Sequence, residues 1–334
     1  MRDRTKALRI FIYLLPLGLF VASFYMGPFR ISLSDLFKTL LSPLVPAWKS
    51  SLPAAYAGIV FGIRLPRILL ALSVGAALSV SGASLQALFK NPLVNEYILG
   101  ISSGAGFGAA LSLVFLPLFP PQLLAFIFAV VAVLLVLGIA SRSESPTVSL
   151  LLTGVIISAF FTALLSLVEF FADPYSLQAL FYWLMGNLSL PGWPQLFVSL
   201  PLILAGMLIL ILMRWRLNVL SMGDDEASSL GVDIRREKLL VVFLATLITA
   251  AATSVAGIIG WIGLIVPHLV RMMVGVENRR VVPLSAALGA SFLLVADDVT
   301  RSLASFEVPV GIFTSIIGIP LFILLLRRSS KVWL

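Results

Sequence analysis

Residues 64–110 read RLPRILLALSVGAALSVSGASLQALFKNPLVNEYILGISSGAGFGAA, and this stretch decides the fold. After two arginines that flank a proline, Ile68–Phe89 continues for 22 residues without a charged side chain. A helix needs about 20 apolar residues to cross the hydrocarbon core of a bilayer. The run therefore predicts a membrane-spanning helix.

A second helix is expected directly after this span. Lys90-Asn91-Pro92 ends the apolar run, and Asn as N-cap followed by Pro predicts that the new helix begins at Pro92. Three glycines, at 100, 104 and 108, would then share one face of that helix. Small residues at this spacing let a neighbouring helix approach closely within lipid.

The composition of the whole chain is that of a polytopic membrane protein. Of 334 residues, 60% are hydrophobic and only 11% are charged, against about 25% charged in soluble domains. There is no cysteine, which excludes disulfides and thiolate metal sites, and a single histidine, His268, leaves no histidine cluster. No Gly-x-x-x-x-Gly-Lys-Ser/Thr loop occurs, so any ATP that drives this protein must be bound by another subunit.

Charge-free runs divide the chain into about ten spans with both termini in the cytoplasm. Prolines at 117, 120 and 121 predict an outside turn within Tyr97–Ser141, and glycines at 257, 260 and 263 predict a reversal within Leu239–Pro267. The remaining predicted spans are Ile10–Met26, Val148–Val168, Leu196–Met213, Val281–Ala296 and Val308–Leu326. The basic N-terminus could also indicate a signal peptide, but no Ala-x-Ala-like site follows, which favours an uncleaved first span.

The segments between the spans complete this prediction. Residues 27–63 and Asp297–Glu307 are expected outside, and 172–193 is expected to hold a half-helix at the outer mouth. The segments assigned to the cytoplasm carry 17 of the 23 Lys and Arg residues. This bias follows the positive-inside rule and explains the basic chain without nucleic acid.

One predicted span carries a polar stripe. Ser158, Thr162 and Ser166 recur every four residues, and Glu169 extends the stripe towards the outer end. Hydroxyl groups in membrane helices can bond back to carbonyls of their own helix. They can also line a water-facing wall, and the residues alone leave both interpretations open.

Several motifs in this order resemble the FecCD/BtuC-type permease family, the membrane subunits of ABC importers for iron–siderophore complexes, haem and vitamin B12. The motifs are RLPR, the VGAALSVSGASLQALF run, NPL, LGISSGAGFG, MGDDEASSLGV (222–232), GWIGLIVPHLVR (260–271) and EVPVGIFTSIIGIP (307–320). The resemblance implies an all-α, BtuC-like type II ABC importer permease that forms one transmembrane domain over residues 1–334. It also implies that the helix with the polar stripe lines the translocation path.

The resemblance assigns roles to three sets of residues. Arg64, Arg67 and Arg301 match family arginines that meet carboxylates of the binding protein, although arginines at span ends in general anchor helices at the headgroups. Asn91, Pro92 and Leu93 match the cytoplasmic gate. The segment that sits in a cleft of the ATPase lies in the loop 214–238 and comprises Gly223, Asp224, Asp225, Glu226, Ala227, Leu230 and Gly231.

The coupling segment also has local signals of its own. The spacing of Ser221 and Asp224 is like that of a capping box, and Gly231 is a natural C′ residue, so a short helix is expected over Met222–Leu230. The chain departs from the family at Asp225, where Glu is usual, at Glu96, near a usual proline, and at Asp297-Asp298, where one Asp is typical. His268, beside Pro267, is interpreted as structural rather than as a haem ligand.

The sequence therefore predicts a non-enzymatic permease of a bacterial or archaeal cytoplasmic membrane, without a bound cofactor. Its expected partners are a second copy, two ATPase subunits that hold ATP and Mg, a periplasmic or lipid-anchored binding protein, and membrane lipid. An ion-gradient-driven transporter is the alternative, but such proteins need ionisable groups inside the membrane for coupling. A membrane enzyme would need a nucleophile–base pair or metal ligands, and the chain has neither a cysteine nor a second histidine.

Overall fold

The computed structural model describes residues 2–49, 52–140, 146–189, 192–222, 226, 229–231, 233–303 and 308–329. Across these residues the regular structure is entirely helical. Seven helices are long and apolar enough to cross a membrane, and three shorter apolar helices accompany them. The prediction of an all-α protein with several membrane-spanning helices is therefore confirmed.

The first part of the chain leads into the central helix of the bundle. The helices are α1 (Arg2–Ser23), α2 (Leu33–Leu41), α3 (Pro46–Lys49), α4 (Ala54–Ala57) and α5 (Leu65–Phe89), with a π-helical stretch, Gly58–Arg64, joining α4 to α5. The predicted outside segment 27–63 was therefore too long, since a continuous helix already begins at Ala54. Nearly every residue of α5 is buried. Two glycines permit this, because a Cβ on Gly75 would lie 2.3 Å from the Gly289 carbonyl oxygen and one on Gly82 would lie 2.0 Å from that of Gly263.

The next two helices pack through the predicted glycine face. They are α6 (Ile101–Val114) and α7 (Pro121–Ala140), on either side of the predicted outside turn. A Cβ on Gly104 would lie 2.5 Å from the Phe128 carbonyl oxygen, and one on Gly108 would lie 2.2 Å from that of Leu124. Gly104 and Gly108 thus form the contact surface between α6 and α7. The third predicted member, Gly100, instead precedes α6, and a Cβ on it would lie 3.4 Å from the side chains of Ile157 and Ser158.

The prediction that a helix begins at Pro92 is wrong. Lys90 ends α5 in the left-handed conformation (φ 50°), and the side chain of Asn91 accepts a hydrogen bond from the Leu93 backbone N–H at 2.9 Å. This Asx turn competes with helix formation. Residues 91–100, hereafter the gate loop, remain non-helical until Gly100 (φ 82°) precedes α6.

The middle of the chain follows the predicted order. It forms α8 (Pro146–Phe171), α9 (Pro174–Leu184), α10 (Trp193–Leu212) and α11 (Arg214–Met222). With 11 residues, α9 is about 16 Å long and is the predicted half-helix. Asp173 caps it by accepting from the backbone N–H groups of Tyr175 and Ser176 at 2.9 and 3.1 Å. Hydrogen bonds from the hydroxyl and backbone N–H of Ser176, with that from the Tyr175 backbone, hold the pKa of Asp173 below its usual value.

The last part of the chain contains the predicted reversal. It forms α12 (Ile234–Ala256), α13 (Ile262–Val274), α14 (Asn278–Leu303) and α15 (Val310–Ser329). Between α12 and α13 lie five non-helical residues, 257–261, hereafter the break, where Gly257 and Trp261 have φ values of 68° and 74°. The predicted end of the span at Ala296 is wrong, because the helix continues to Leu303 and Asp297 and Asp298 are buried within it.

Candidate functional site

The three arginines predicted to dock the binding protein lie together, but they are buried. Arg64, Arg67 and Arg301 expose only 4%, 6% and 4% of their surfaces. They join the end of α1, the start of α5 and the end of α14. We call this group the outer arginine cluster.

Carboxylates of α14 hold two of the arginines. Arg67 donates from Nε to both oxygens of Asp297 at 3.0 Å and from Nη2 to Oδ1 at 2.9 Å, a geometry that is available to guanidinium and not to ammonium. Arg301 donates to Asp298 and to the Ser23 carbonyl, the latter at 2.7 Å. The second aspartate of the unusual Asp297-Asp298 pair therefore has its own arginine.

The third arginine, Arg64, binds backbone carbonyl groups rather than a carboxylate. Arg64 donates to the carbonyl oxygens of Phe24 and Phe29, on the segment that follows α1. The cluster therefore contains three guanidinium groups and two carboxylates, and exposed Arg30 adds a further positive charge beside it. Arg30 and Arg301, with residues 25–28 and Ser302, line a cavity of about 410 Å³ that opens at this surface.

Sequence reasoning missed these internal partners. The spacing of Asp297 and Asp298 ahead of Arg301 is i,i+4 and i,i+3, and such pairs meet on one helix face. That spacing was a usable signal for Arg301. The pairing of Arg67 with Asp297 spans 230 residues and had no local signal.

The predicted gate residues form the turn at the end of α5. Asn91 makes the Asx turn described above, Pro92 is half-buried and Leu93 is 54% exposed. Beyond them the gate loop enters the bundle, where Val94, Glu96 and Leu99 are almost fully buried. The hydroxyl of Tyr97 donates to the Ile259 carbonyl oxygen at 3.0 Å, so the gate loop is attached to the break.

The polar stripe of α8 lies partly on an exposed face. Ser158 donates to the Gly154 carbonyl at 2.7 Å and Thr162 donates to that of Ser158 at 2.8 Å, the back-bonded arrangement anticipated above. Thr162 and Ser166 are nevertheless exposed, and Ser158 and Glu169 are half-buried. The role of the stripe as a pathway wall stays a prediction.

The coupling segment lies partly outside the described residues, which omit Gly223, Asp224, Asp225 and Ala227. The predicted capping by Ser221 is wrong, because Ser221 belongs to α11 and donates to the Asn218 carbonyl at 2.7 Å. Glu226 and Leu230 are exposed, and Gly231 has the left-handed φ of 77° expected of a C′ residue.

Helix α11, which precedes the coupling segment, is tied to the core. Asn218 accepts a hydrogen bond from the Asn278 backbone N–H at 2.7 Å, which joins α11 to the start of α14. Leu217, Val219 and Leu220 are buried, whereas Trp215 is 54% exposed. The surface next to the coupling segment is therefore partly apolar and attached to α14.

These features define a multi-pass helical membrane permease, with a half-helix at one end, a gate loop inside the bundle and the predicted coupling loop between α11 and α12. The model of the FecCD transport family matches residues 14–328, and the chain belongs to this family. It is thus the permease subunit of an ABC importer and not itself an ATPase.

Individual relatives are similar in sequence or structure to this chain over most of its length. It is 38% identical over 330 residues to the hemin transport system permease protein HmuU of Yersinia pestis, covering 96% of this chain and 95% of that one. It is 40% identical over 274 residues to a probable iron chelatin transport system permease protein of Helicobacter pylori, covering 82% and 84%. A structure titled as an inward-facing, metal-chelate type ABC transporter matches with a TM-score of 0.86 at 35% identity, covering 97% of this chain and 99% of that one.

Proposed function

We propose that the chain carries an iron chelate, either a siderophore complex or haem, or cobalamin across the cytoplasmic membrane, in an importer driven by ATP. The names of the hemin and iron chelatin relatives support this class of substrate. The structural observation that carries the proposal is the net positive charge at this end of the bundle, where three buried guanidinium groups face two carboxylates and exposed Arg30 adds a charge at the surface. Such a positive surface suits an acidic protein partner.

The proposed arrangement has ten spans and both termini in the cytoplasm. The seven long helices and the three shorter apolar helices supply that number. The whole chain would be one transmembrane domain, with 214–238 as its cytoplasmic coupling loop. A second copy would face the exposed side of α8, so that Ser158, Thr162, Ser166 and Glu169 border a path between the copies.

Docking of the binding protein would then depend mainly on the electrostatic field of the outer arginine cluster. Arg67 and Arg301 already hold aspartates, so a carboxylate of the binding protein would add to these pairs rather than meet free guanidinium groups. The cavity beside Arg30 and Arg301 has room for such a side chain. Complementary charge of this kind raises the rate of association more than the final affinity.

Transport also needs an ATPase partner on the inner side. We propose that the segment Gly223–Gly231 seats in a cleft of that subunit and that Asn91, Pro92 and Leu93 form the gate. ATP and Mg would be held by the ATPase, and the permease itself would need no cofactor. The link between α11 and α14 would carry the movement into the bundle.

The test is co-expression of the chain with its ATPase and binding protein, followed by copurification and binding assays. Ferric siderophores, haem and cobalamin are offered separately to the binding protein, and the ligand bound is then offered to proteoliposomes. The proposal expects one of these ligands to be bound and transported. A permease that copurifies with an ATPase but imports none of the three would refute the substrate class.

A further inference from the structure

Glu96, in the gate loop, lies deep within the helix bundle. None of the surface of Glu96 is exposed to solvent. A Cβ on Gly263 would lie 1.9 Å from the Oε2 atom of Glu96 and 2.7 Å from the Leu78 carbonyl oxygen. Leu78 precedes the cytoplasmic end of α5 by eleven residues, which is about 16 Å of helix. The carboxyl group therefore lies near the middle of the membrane and fills the space that Gly263 leaves open.

Polar contacts of this carboxyl group are poor. Neither oxygen makes a hydrogen bond of ordinary geometry to any described residue. The backbones of Glu96 and Gly263 and the phenol of Tyr97 are polar groups that lie near the carboxyl group. Burying a carboxyl group without donors is unfavourable, and an apolar side chain would fill the same space at lower cost. Ionisable residues kept at membrane depth commonly serve function.

The surroundings connect the carboxyl group to a potential hinge. The next residue, Tyr97, is bonded to Ile259 in the break, so two consecutive residues of the gate loop contact the region 259–263. The break contacts the end of α9 and the start of α15, since a Cβ on Gly186 or on Gly311 would lie 2.6 or 2.8 Å from the Ile258 carbonyl oxygen. The break therefore lies in contact with α9, α15 and the gate loop, where a movement of either helix would displace it.

A polar chain continues from Gly263 towards the cytoplasm. The Gly263 carbonyl accepts from Nε2 of Gln86 at 3.2 Å, and Oε1 of Gln86 accepts from Arg271. Arg271 also donates to the Ala83 carbonyl at 3.3 Å, and His268 lies one turn before it on α13. The groups around Glu96 thus connect the break to the last turn of α13, next to the cytoplasmic surface.

We propose that Glu96 is a positioning residue of the gate: it fits the gate loop against Gly263 in the closed state and favours opening, because its carboxyl group is hydrated only when the loop moves. The inference rests on the proposed gating role of residues 91–93. In the closed state the side chain fills the space beside Gly263. In the open state hydration of the carboxyl group offsets the contacts that the loop loses, so that both states remain accessible.

Two replacements of similar length separate this role from simple packing. Glu96→Met keeps an unbranched side chain that fills the space but gains nothing in water. Glu96→Gln keeps a polar end that water can hydrate. If the side chain were only a filler, Met would serve at least as well as Gln.

The experiment uses the full chain with its ATPase and binding protein in proteoliposomes, in a Val94→Cys background. Val94 is 1% exposed, so a thiol there reacts with an impermeant reagent on the ATPase side only when the loop moves. ATP turnover is expected to raise the labelling rate with Glu96 present. Glu96→Met should lower the labelling rate and transport during turnover by about tenfold or more, whereas Glu96→Gln should retain both within about twofold.

Two results would overturn the inference. In the first, Glu96→Met would label and transport as fast as the Val94→Cys parent, which would make Glu96 a filler. In the second, Met and Gln would lose transport equally while labelling stayed at the parental rate, which would place the role outside the gate. If labelling of the parent did not respond to ATP at all, the proposed gate itself would fail, a result distinct from either of these.

Discussion

Replacing Arg67 by methionine removes one half of the buried ion pair with Asp297 and should destabilise the protein strongly. The two side chains expose 7% and 0% of their surfaces, so the carboxylate would be left in a dry site. Breaking a buried pair in this way costs about 3–5 kcal/mol. Arg301 lies 3.8 Å from Asp297 Oδ2, so we expect the lower half of that range.

The expected cost converts to a measurable shift in melting temperature. At about 2.1 cal/mol/K per residue, 334 residues give an unfolding entropy of about 0.7 kcal/mol/K. A loss of about 3 kcal/mol then lowers the melting temperature by about 4 °C. The assay is thermal unfolding of the purified protein in one detergent.

A second variant and a matched control test the reasoning. Arg67→Met combined with Asp297→Leu removes both charges and should recover most of the loss, because apolar pairs can replace buried ion pairs at little cost. Arg280 pairs with Glu277 at 2.9 Å on the surface, and Arg280→Met should cost less than about 1 kcal/mol. A double variant less stable than Arg67→Met, or an Arg67→Met no worse than the control, would refute the reasoning.

Three other predictions follow from the packing and the topology. Gly82→Ala should prevent the close contact of α5 with α13 and reduce the yield of folded protein. Gly62→Ala is the control, because nothing lies within 4 Å of the added methyl group. The yield of monodisperse protein after size exclusion is measured for both variants. Arg30→Glu should slow association with the binding protein by about tenfold at low salt and by less at high salt. An unchanged association rate in stopped-flow mixing would show that Arg30 is not part of the docking surface. Leu118 is 94% exposed in the turn before α7. Leu118→Cys should therefore react with an impermeant thiol reagent outside intact cells, whereas Leu230→Cys should not. The reverse pattern would show that the topology is inverted.

The spans could be predicted because hydropathy and charge are local properties of the sequence. The 22-residue apolar run became α5, and the proline cluster near residue 120 separates α6 from α7. The glycines around 260 likewise marked the break between α12 and α13. In lipid every backbone group must be bonded within its own helix, so long apolar runs leave few alternatives.

The gate loop could not be predicted in the same way. Asn91-Pro92 is as good a helix start as an Asx turn by local rules, and the turn prevails because tertiary contacts hold the following residues. Those contacts join Tyr97 to Ile259 and Glu96 to Gly263, more than 160 residues away in the sequence. Neither has a local signal.

The outer arginines show the same limit. Their charge and position at the outer ends of spans could be read from the sequence, but their burial could not. Asp297–Glu307 was expected outside, and nothing local in the sequence indicates that Asp297 pairs with an arginine 230 residues away. Arg67 and Arg301 compensate the charges of Asp297 and Asp298, and α14 therefore continues to Leu303.

Whether ATP or an ion gradient drives uptake distinguishes an ABC importer from a secondary transporter. The buried Glu96 makes an ion-coupled transporter worth excluding by experiment, since such carriers rely on ionisable groups at membrane depth. Proteoliposomes containing the permease and its ATPase are loaded with ATP, and uptake of the ligand held by the binding protein is measured with and without ionophores that collapse ion gradients. We expect uptake that requires ATP and is unchanged by the ionophores. Uptake that follows an imposed ion gradient without ATP would show that the chain works as an ion-coupled transporter instead.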